Sequence, residues 1–171
     1  LAAKDAASAS DPSSWLYTVE WEKAAPQPSS TATGSWLIFS DGVVGSELAA
    51  KLAGQGHAVR QVLREGTLGS SNASDVHLDP ARAEAYDAVL AEGVAGMPPL
   101  TGILYLWPLS AGPDVRTASS LEQSHERVCG DALRLIQALA RRSGHLPPRL
   151  WLVTCGAQPV DGEPISLEQA P

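Results

Sequence analysis

One stretch constrains this chain more than any other: Gly34-Ser35-Trp36-Leu37-Ile38-Phe39-Ser40-Asp41-Gly42-Val43-Val44-Gly45, continuing through Leu48, Leu52 and Gly56. Trp36 to Phe39 is an unbroken apolar run of strand length, rich in the aromatic and β-branched side chains that suit a pleated surface. A short glycine-containing turn follows. Val44, Leu48, Ala49 and Leu52 then recur at the spacing of one helical face, and Gly54 or Gly56 ends the helix. A second apolar run, Ala58 to Leu63, begins directly afterwards. Strand, helix and strand within about 30 residues make a βαβ unit, whose strands lie parallel.

The rest of the chain keeps that alternation. Val76-His77-Leu78 is a short strand; Asp79 and Pro80 provide a helix N-cap and first position, and the helix over 80–92 turns Ala81, Ala85, Val89 and Leu90 inward. Gly93 to Gly102 is a loop, and Ile103 to Trp107 reads as a central strand by its continuous apolarity. A long helix over 119–142 carries Leu121, His125, Val128, Ala132, Leu135, Ile136 and Leu139 on one side. Gly144 and Pro147-Pro148 end it, and Leu150 to Val153 is the last strand. Such a pattern predicts a Rossmann-like, three-layer α/β/α fold with a mostly parallel sheet. Ahead of it, residues 1–14 read as an interdomain linker and 26–33 as a second one. Between them Trp15, Tyr17, Val19 and Trp21 alternate along a strand with one aromatic face.

Composition narrows the function. A hydrophobic content of 44% and a charged content of 18% are those of a globular chain. The net charge of −7 argues against nucleic acid or an anionic membrane as a partner. No apolar run approaches membrane-spanning length, so cytoplasm is the expected compartment. The first residue is Leu1, which suggests a piece of something longer, and Cys129 and Cys155 form no disulfide framework. Asn72-Ala73-Ser74 is a glycosylation sequon only in a secreted chain.

The first βα turn decides the chemistry. Aligned on Gly45 it reads Ser40-x-Gly42-x-x-Gly45, a dinucleotide fingerprint with serine in place of the first glycine. Arg64 and Glu65 stand where a ribose-contacting residue falls. Gly42, Gly45 and Arg64 are therefore vestigial cofactor-binding candidates, set against a purely structural turn. Asp41 would put a negative charge beside a pyrophosphate, or occupy the helix N-terminal amides itself. A short-chain reductase also needs a Tyr-x-x-x-Lys pair. Trp21, Leu90 and Leu109 stand four residues beyond Tyr17, Tyr86 and Tyr105, so no such pair exists. Glu122, His125 and Cys129 share one side of a helix at zinc-ligand spacing, but His125 falls in the apolar stripe and reads as a packed, hydrogen-bonded histidine. Cys155 ends a strand in Val-Thr-Cys-Gly without a base nearby; His57, His77 and His145 are assigned nothing. No catalytic residue and no metal site is expected.

Trp15-x-Tyr17-x-x-x-Trp21, Gly34-x-Trp36-Leu37-Ile38-Phe39, Leu106-Trp107-x-Leu109, Cys129-Gly130 and Leu135-x-Gln137-Ala138-Leu139-Ala140 occur in that order. Leu150-Trp151-Leu152-Val153-Thr154-x-Gly156-Ala157-Gln158-Pro159-Val160 and Gln169-Ala170-Pro171 follow. Together they resemble the N-terminal, structural subdomain of the ketoreductase in modular type I polyketide synthases, over residues 15–171. One departure is Cys155, where a charged residue is common in that family. The resemblance implies a truncated Rossmann-like subdomain without catalysis, bracing a downstream catalytic half that binds NADPH and reduces a carrier-bound β-ketoacyl chain. It implies that Trp15, Tyr17, Val19 and Trp21 form the interface with that half. Dehydratase, phosphopantetheine-bearing acyl carrier protein, and enoylreductase or methyltransferase domains would be neighbours. Two other readings stay open: a free-standing NAD(P)-binding short-chain reductase-like domain, and an inactive pseudo-ketoreductase serving as an interaction module.

Overall fold

The computed structural model describes residues 21–25, 33–67, 75–110, 117–142, 147–160, 163–167 and 169. The chain divides into two units, Leu1–Ser30 and Thr31–Pro171. In the first, residues 21–25 have neither helix nor strand and Trp21 is exposed. The expected strand positions Trp15, Tyr17 and Val19 lie outside the described residues, as do the 1–14 linker, Asn72 and His145.

The second unit runs β1 (Ser35–Phe39), α1 (Val43–Gly54), β2 (Ala58–Arg64), β3 (Val76–Leu78), α2 (Ala83–Glu92), β4 (Leu100–Tyr105), α3 (Ala118–His125), α4 (Asp131–Arg141) and β5 (Arg149–Leu152). The strands form one five-stranded sheet in the order β3-β2-β1-β4-β5. Every pairing is parallel, with Phe39 opposite Val62 on one side and Tyr105 on the other. This is a Rossmann-like α/β fold. The strand order turns back between β1 and β4, the place where open sheets of this kind form a crevice beyond their C-terminal ends.

Alternation along the strands separates two faces. Leu37, Phe39, Val62, Leu78, Ile103 and Tyr105 point into one cluster with Tyr86, Val89 and Leu90 of α2 and Ala132, Leu135 and Ala138 of α4. Phe39 meets Trp107 edge-on at 5.2 Å between ring centroids. Each fully buried aliphatic side chain there contributes about 1.5–3 kcal/mol. The opposite face is thinner. Helix α1 lies on it with Leu48, Ala49 and Leu52 only half-buried, and the buried Gln61 accepts from the Ser46 hydroxyl at 3.5 Å.

Local details depart from expectation, each for a physical reason. Asp79 does not cap α2; its carboxylate accepts the Ala81 N–H at 3.0 Å in a side-chain turn, and the helix begins at Ala83. Ala81 is consequently exposed, and Tyr86 fills the inward position instead. In α1 the residue facing the sheet is Gly45, which leaves Val44, one helical step away, exposed. Trp107 is not in the central strand but opens a 3₁₀ turn, Trp107–Ser110, because Pro108 has no N–H to continue the ladder. The long helix is interrupted by a π-helical turn, Glu126–Gly130, in which the Asp131 N–H reaches back to the Glu126 carbonyl. Beyond it Asp131, Ala132, Leu135 and Ala138 face inward, and Ile136 is exposed. No helix among the described residues is long and apolar enough to cross a membrane.

Candidate functional site

Ser40 leaves the end of β1 with its side chain folded into the βα turn, where its hydroxyl accepts the Gly42 N–H at 3.3 Å. Gly42 is the N-terminal flank of α1, in extended backbone (φ −139°) that any residue adopts. Gly45 is different. A Cβ there would lie 2.2 Å from the Ser40 hydroxyl oxygen and 2.3 Å from the Ser40 Cβ, so the close fit of helix on strand requires glycine. A methyl at Gly42 would lie 3.8 Å from the Ser110 hydroxyl, which brings the turn after β4 up to the turn after β1.

Asp41 does not cap the helix N-terminus. Its carboxylate turns toward the end of β2 and accepts the Arg64 N–H at 2.8 Å and the Thr67 hydroxyl at 3.3 Å. The same carboxylate lies 3.0 Å from the Arg64 Nε. Arg64 Nη1 meets Asp131 at 2.6 Å, and the guanidinium lies over the Trp107 ring, 4.3 Å from its centroid. Arg134 completes the group, 3.2 Å from Asp131 and 2.5 Å from Glu126. Burial pushes the Asp131 carboxyl above its ordinary value, and the Arg64 and Arg134 guanidiniums pull it back. A buried charge of this kind is tolerable only while its partners stay in place. The result is a cation held between carboxylates from the ends of β1 and α4.

The structure thus brings Gly42, Gly45 and Arg64 to one edge of the sheet, and adds Asp131 and Trp107, which motif reading misses. Asp131 could have been found: an acid on the buried stripe of a helix, between Val128 and Leu135, calls for a cationic partner. Glu65 is exposed, its N–H bonded to the Leu78 carbonyl at 2.8 Å, so it extends the β2–β3 ladder. His57 does have partners: its Nδ1 accepts the Gly34 N–H at 3.3 Å and its ring meets Trp36 edge-on. His125 donates through Nε2 to the Leu167 carbonyl at 3.2 Å. Glu122 and Cys129 are exposed, and among the described residues no three His, Cys, Asp or Glu side chains gather as metal ligands would. Cys155 is also exposed, its N–H facing the Gln169 side chain at 3.4 Å.

No family model matches the chain. Over 156 residues, 90% of its length, it is 27% identical to one of the subunits of the phenolphthiocerol/phthiocerol polyketide synthase of Mycobacterium tuberculosis, and equally to the Mycobacterium bovis counterpart. It spans 6% of the length of either relative. A short-chain dehydrogenase/reductase superfamily protein from Agrobacterium tumefaciens with bound NAD shares 19% identity over 61% of this chain and 28% of its own, at a TM-score of 0.41. The UDP-glucose 4-epimerase of Thermus thermophilus in complex with NAD shares 16% over 61% and 33%, at 0.44. The chain therefore joins a Rossmann-like α/β fold to sequence similarity with part of a polyketide synthase.

Proposed function

We propose that this chain is the noncatalytic structural half of a polyketide synthase ketoreductase, residues 15–171, preceded by an interdomain linker. It braces a downstream catalytic half that binds NADPH and reduces a β-ketoacyl group on a phosphopantetheine arm, among neighbouring dehydratase and carrier-protein domains. Trp15, Tyr17, Val19 and Trp21 form its interface with that half.

The observation that carries the reading is the state of the first βα turn. A dinucleotide pyrophosphate at such a turn needs free backbone amides and an unobstructed approach. Here the Gly42 N–H is engaged by the Ser40 hydroxyl, and the Asp41 carboxylate is committed to Arg64 and Thr67. Arg64 has its Nε and Nη1 on Asp41 and Asp131, which commits these groups away from a phosphate. This arrangement speaks against a cofactor at the turn, and packing on Ser40 accounts for Gly45. No Tyr-x-x-x-Lys is present to supply proton transfer. Similarity to part of a polyketide synthase along 90% of the chain supports the synthase context.

Titration of the chain with NADPH, followed by cofactor fluorescence against an intact ketoreductase, tests this. No saturation up to millimolar cofactor is expected. Saturable micromolar binding would overturn the reading in favour of a cofactor-binding reductase domain, with Gly42, Gly45 and Arg64 as the site.

A further inference from the structure

After β5 the chain turns back toward its own sheet. Gly156 sits in the left-handed region at φ +71°, and a Cβ there would come within 3.2 Å of the Ser166 Cβ. Only glycine suits both the conformation and the approach. The Ser166 N–H donates to the Gly156 carbonyl at 2.8 Å, and the Leu167 carbonyl accepts from His125 of α3. A neutral imidazole protonated on Nε2 and an imidazolium both make that second bond.

Gln169 is the centre of this arrangement. It is buried, 6% exposed, a placement that demands partners for both ends of its amide. Its Nε2 donates to the Pro108 carbonyl at 2.6 Å, and its Oε1 accepts the Cys155 N–H at 3.4 Å. Pro108 lies in the turn after β4 and Cys155 just after β5, so one side chain ties together the ends of two neighbouring strands.

We infer that residues 163–167 and Gln169 act as a strap, fastened by Gln169, that caps the C-terminal ends of β4 and β5. The strap concerns the β4–β5 end of the edge and stands independently of whether the β1 turn takes a cofactor. It fixes the direction in which the chain leaves the sheet.

Amide hydrogen exchange on the full chain tests it in Gln169→Ala, Gln169→Glu and Gly156→Ala. In Gln169→Ala the Cys155 and Ser166 amides should exchange about tenfold faster, the loss of one buried hydrogen bond's worth of local protection. The amides of Ile38 and Leu104 should be unchanged. A glutamate keeps the acceptor for Cys155 but cannot donate to Pro108 while ionised, so Gln169→Glu should protect Cys155 more than alanine does. Gly156→Ala strains the strap without touching Gln169 and should free Ser166. Unchanged exchange at Cys155 and Ser166 in Gln169→Ala overturns the inference. So does equal acceleration across the sheet, which would make Gln169 a general core residue.

Discussion

At the scale of single residues, charge burial sets the largest energies. Arg64 and Asp131 have side chains 14% and 6% exposed. Removing the cation leaves the buried Asp131 with Arg134 as its one remaining cationic partner among the described residues, so Arg64→Met should destabilise the fold by about 3 kcal/mol at neutral pH. The cost should depend on pH in a definite sense. The Asp131 carboxyl already lies above its ordinary 3.8 because of burial, held down in part by Arg64. Without Arg64 it rises further. A raised carboxyl contributes stability that is present below 3.8 and lost as pH climbs through its folded-state value. Urea unfolding should therefore find the deficit of Arg64→Met largest near neutrality and smaller as pH falls toward 4; a constant deficit would mean that Asp131 is not the group left uncompensated. Tyr105 gives the alkaline counterpart. Its hydroxyl is buried without a hydrogen-bond partner among the described residues, and burial pushes its ionisation well above the ordinary 10.0. Stability is then complete below pH 10 and falls above it, by about 1.4 kcal/mol per pH unit for each such group. Tyr105→Phe should be neutral or stabilising by about 1 kcal/mol near pH 7, and should flatten the alkaline decline, part of which Tyr86, its hydroxyl also pushed up by burial, would maintain.

At the scale of elements, the junction of β1 with α1 is governed by a contact that volume alone can probe. Gly45→Ala places a methyl against Ser40, an overpacking that should cost about 1–3 kcal/mol. Ser40→Gly removes the obstructing side chain, so the double variant should recover most of that loss in a thermal-unfolding cycle. Additive losses would show that the helix meets the strand elsewhere. This junction also shows what the sequence could and could not convey. The run Trp36 to Phe39 and the continuous apolarity of Ile103 to Tyr105 identify buried parallel strands, because only those strands are apolar on both faces. The fingerprint-like spacing of Ser40, Gly42 and Gly45 is equally visible, but its meaning is not. Whether Asp41 faces the helix or β2 depends on Arg64, 23 residues away. The π turn at Glu126–Gly130 is hidden for another reason. One inserted residue changes which side chains face inward without breaking a three-four rhythm, so Asp131 is placed inside and Ile136 outside. The Trp107 turn follows from Pro108, and the Gln169 strap rests on hydrogen bonds between distant residues, which periodicity cannot register.

At the scale of the whole molecule, apolar surface is distributed unevenly. The face covered by α2 and α4 is densely filled, while Val43, Val44, Leu133, Ile136, Leu152, Val160, Ile165 and Leu167 are each more than 40% exposed. Strand β5 ends the sheet, and among the described residues no strand pairs with its outer edge. Trp151, on that strand, stacks on Trp36 at 5.3 Å and is still 37% exposed. Monomeric soluble proteins keep such patches small, and they blunt open edges with charge or proline. Here Arg149 and the Pro147-Pro148 pair lie at one end of β5 only, leaving Trp151 and Leu152 at the other. A chain bracing a larger reductase should behave accordingly when expressed by itself. It should self-associate or fold poorly, with light scattering after gel filtration reporting species heavier than 17.9 kDa. Co-expression with the residues that follow it in a parent synthase should restore a discrete complex, and Trp15→Ser with Tyr17→Ser should weaken that complex without altering the cooperativity of unfolding. A monodisperse, stable monomer with no affinity for the following residues would contradict the scaffold reading, while leaving the Arg64 network and the Gln169 strap, which lie within residues 31–171, to be judged by their own experiments.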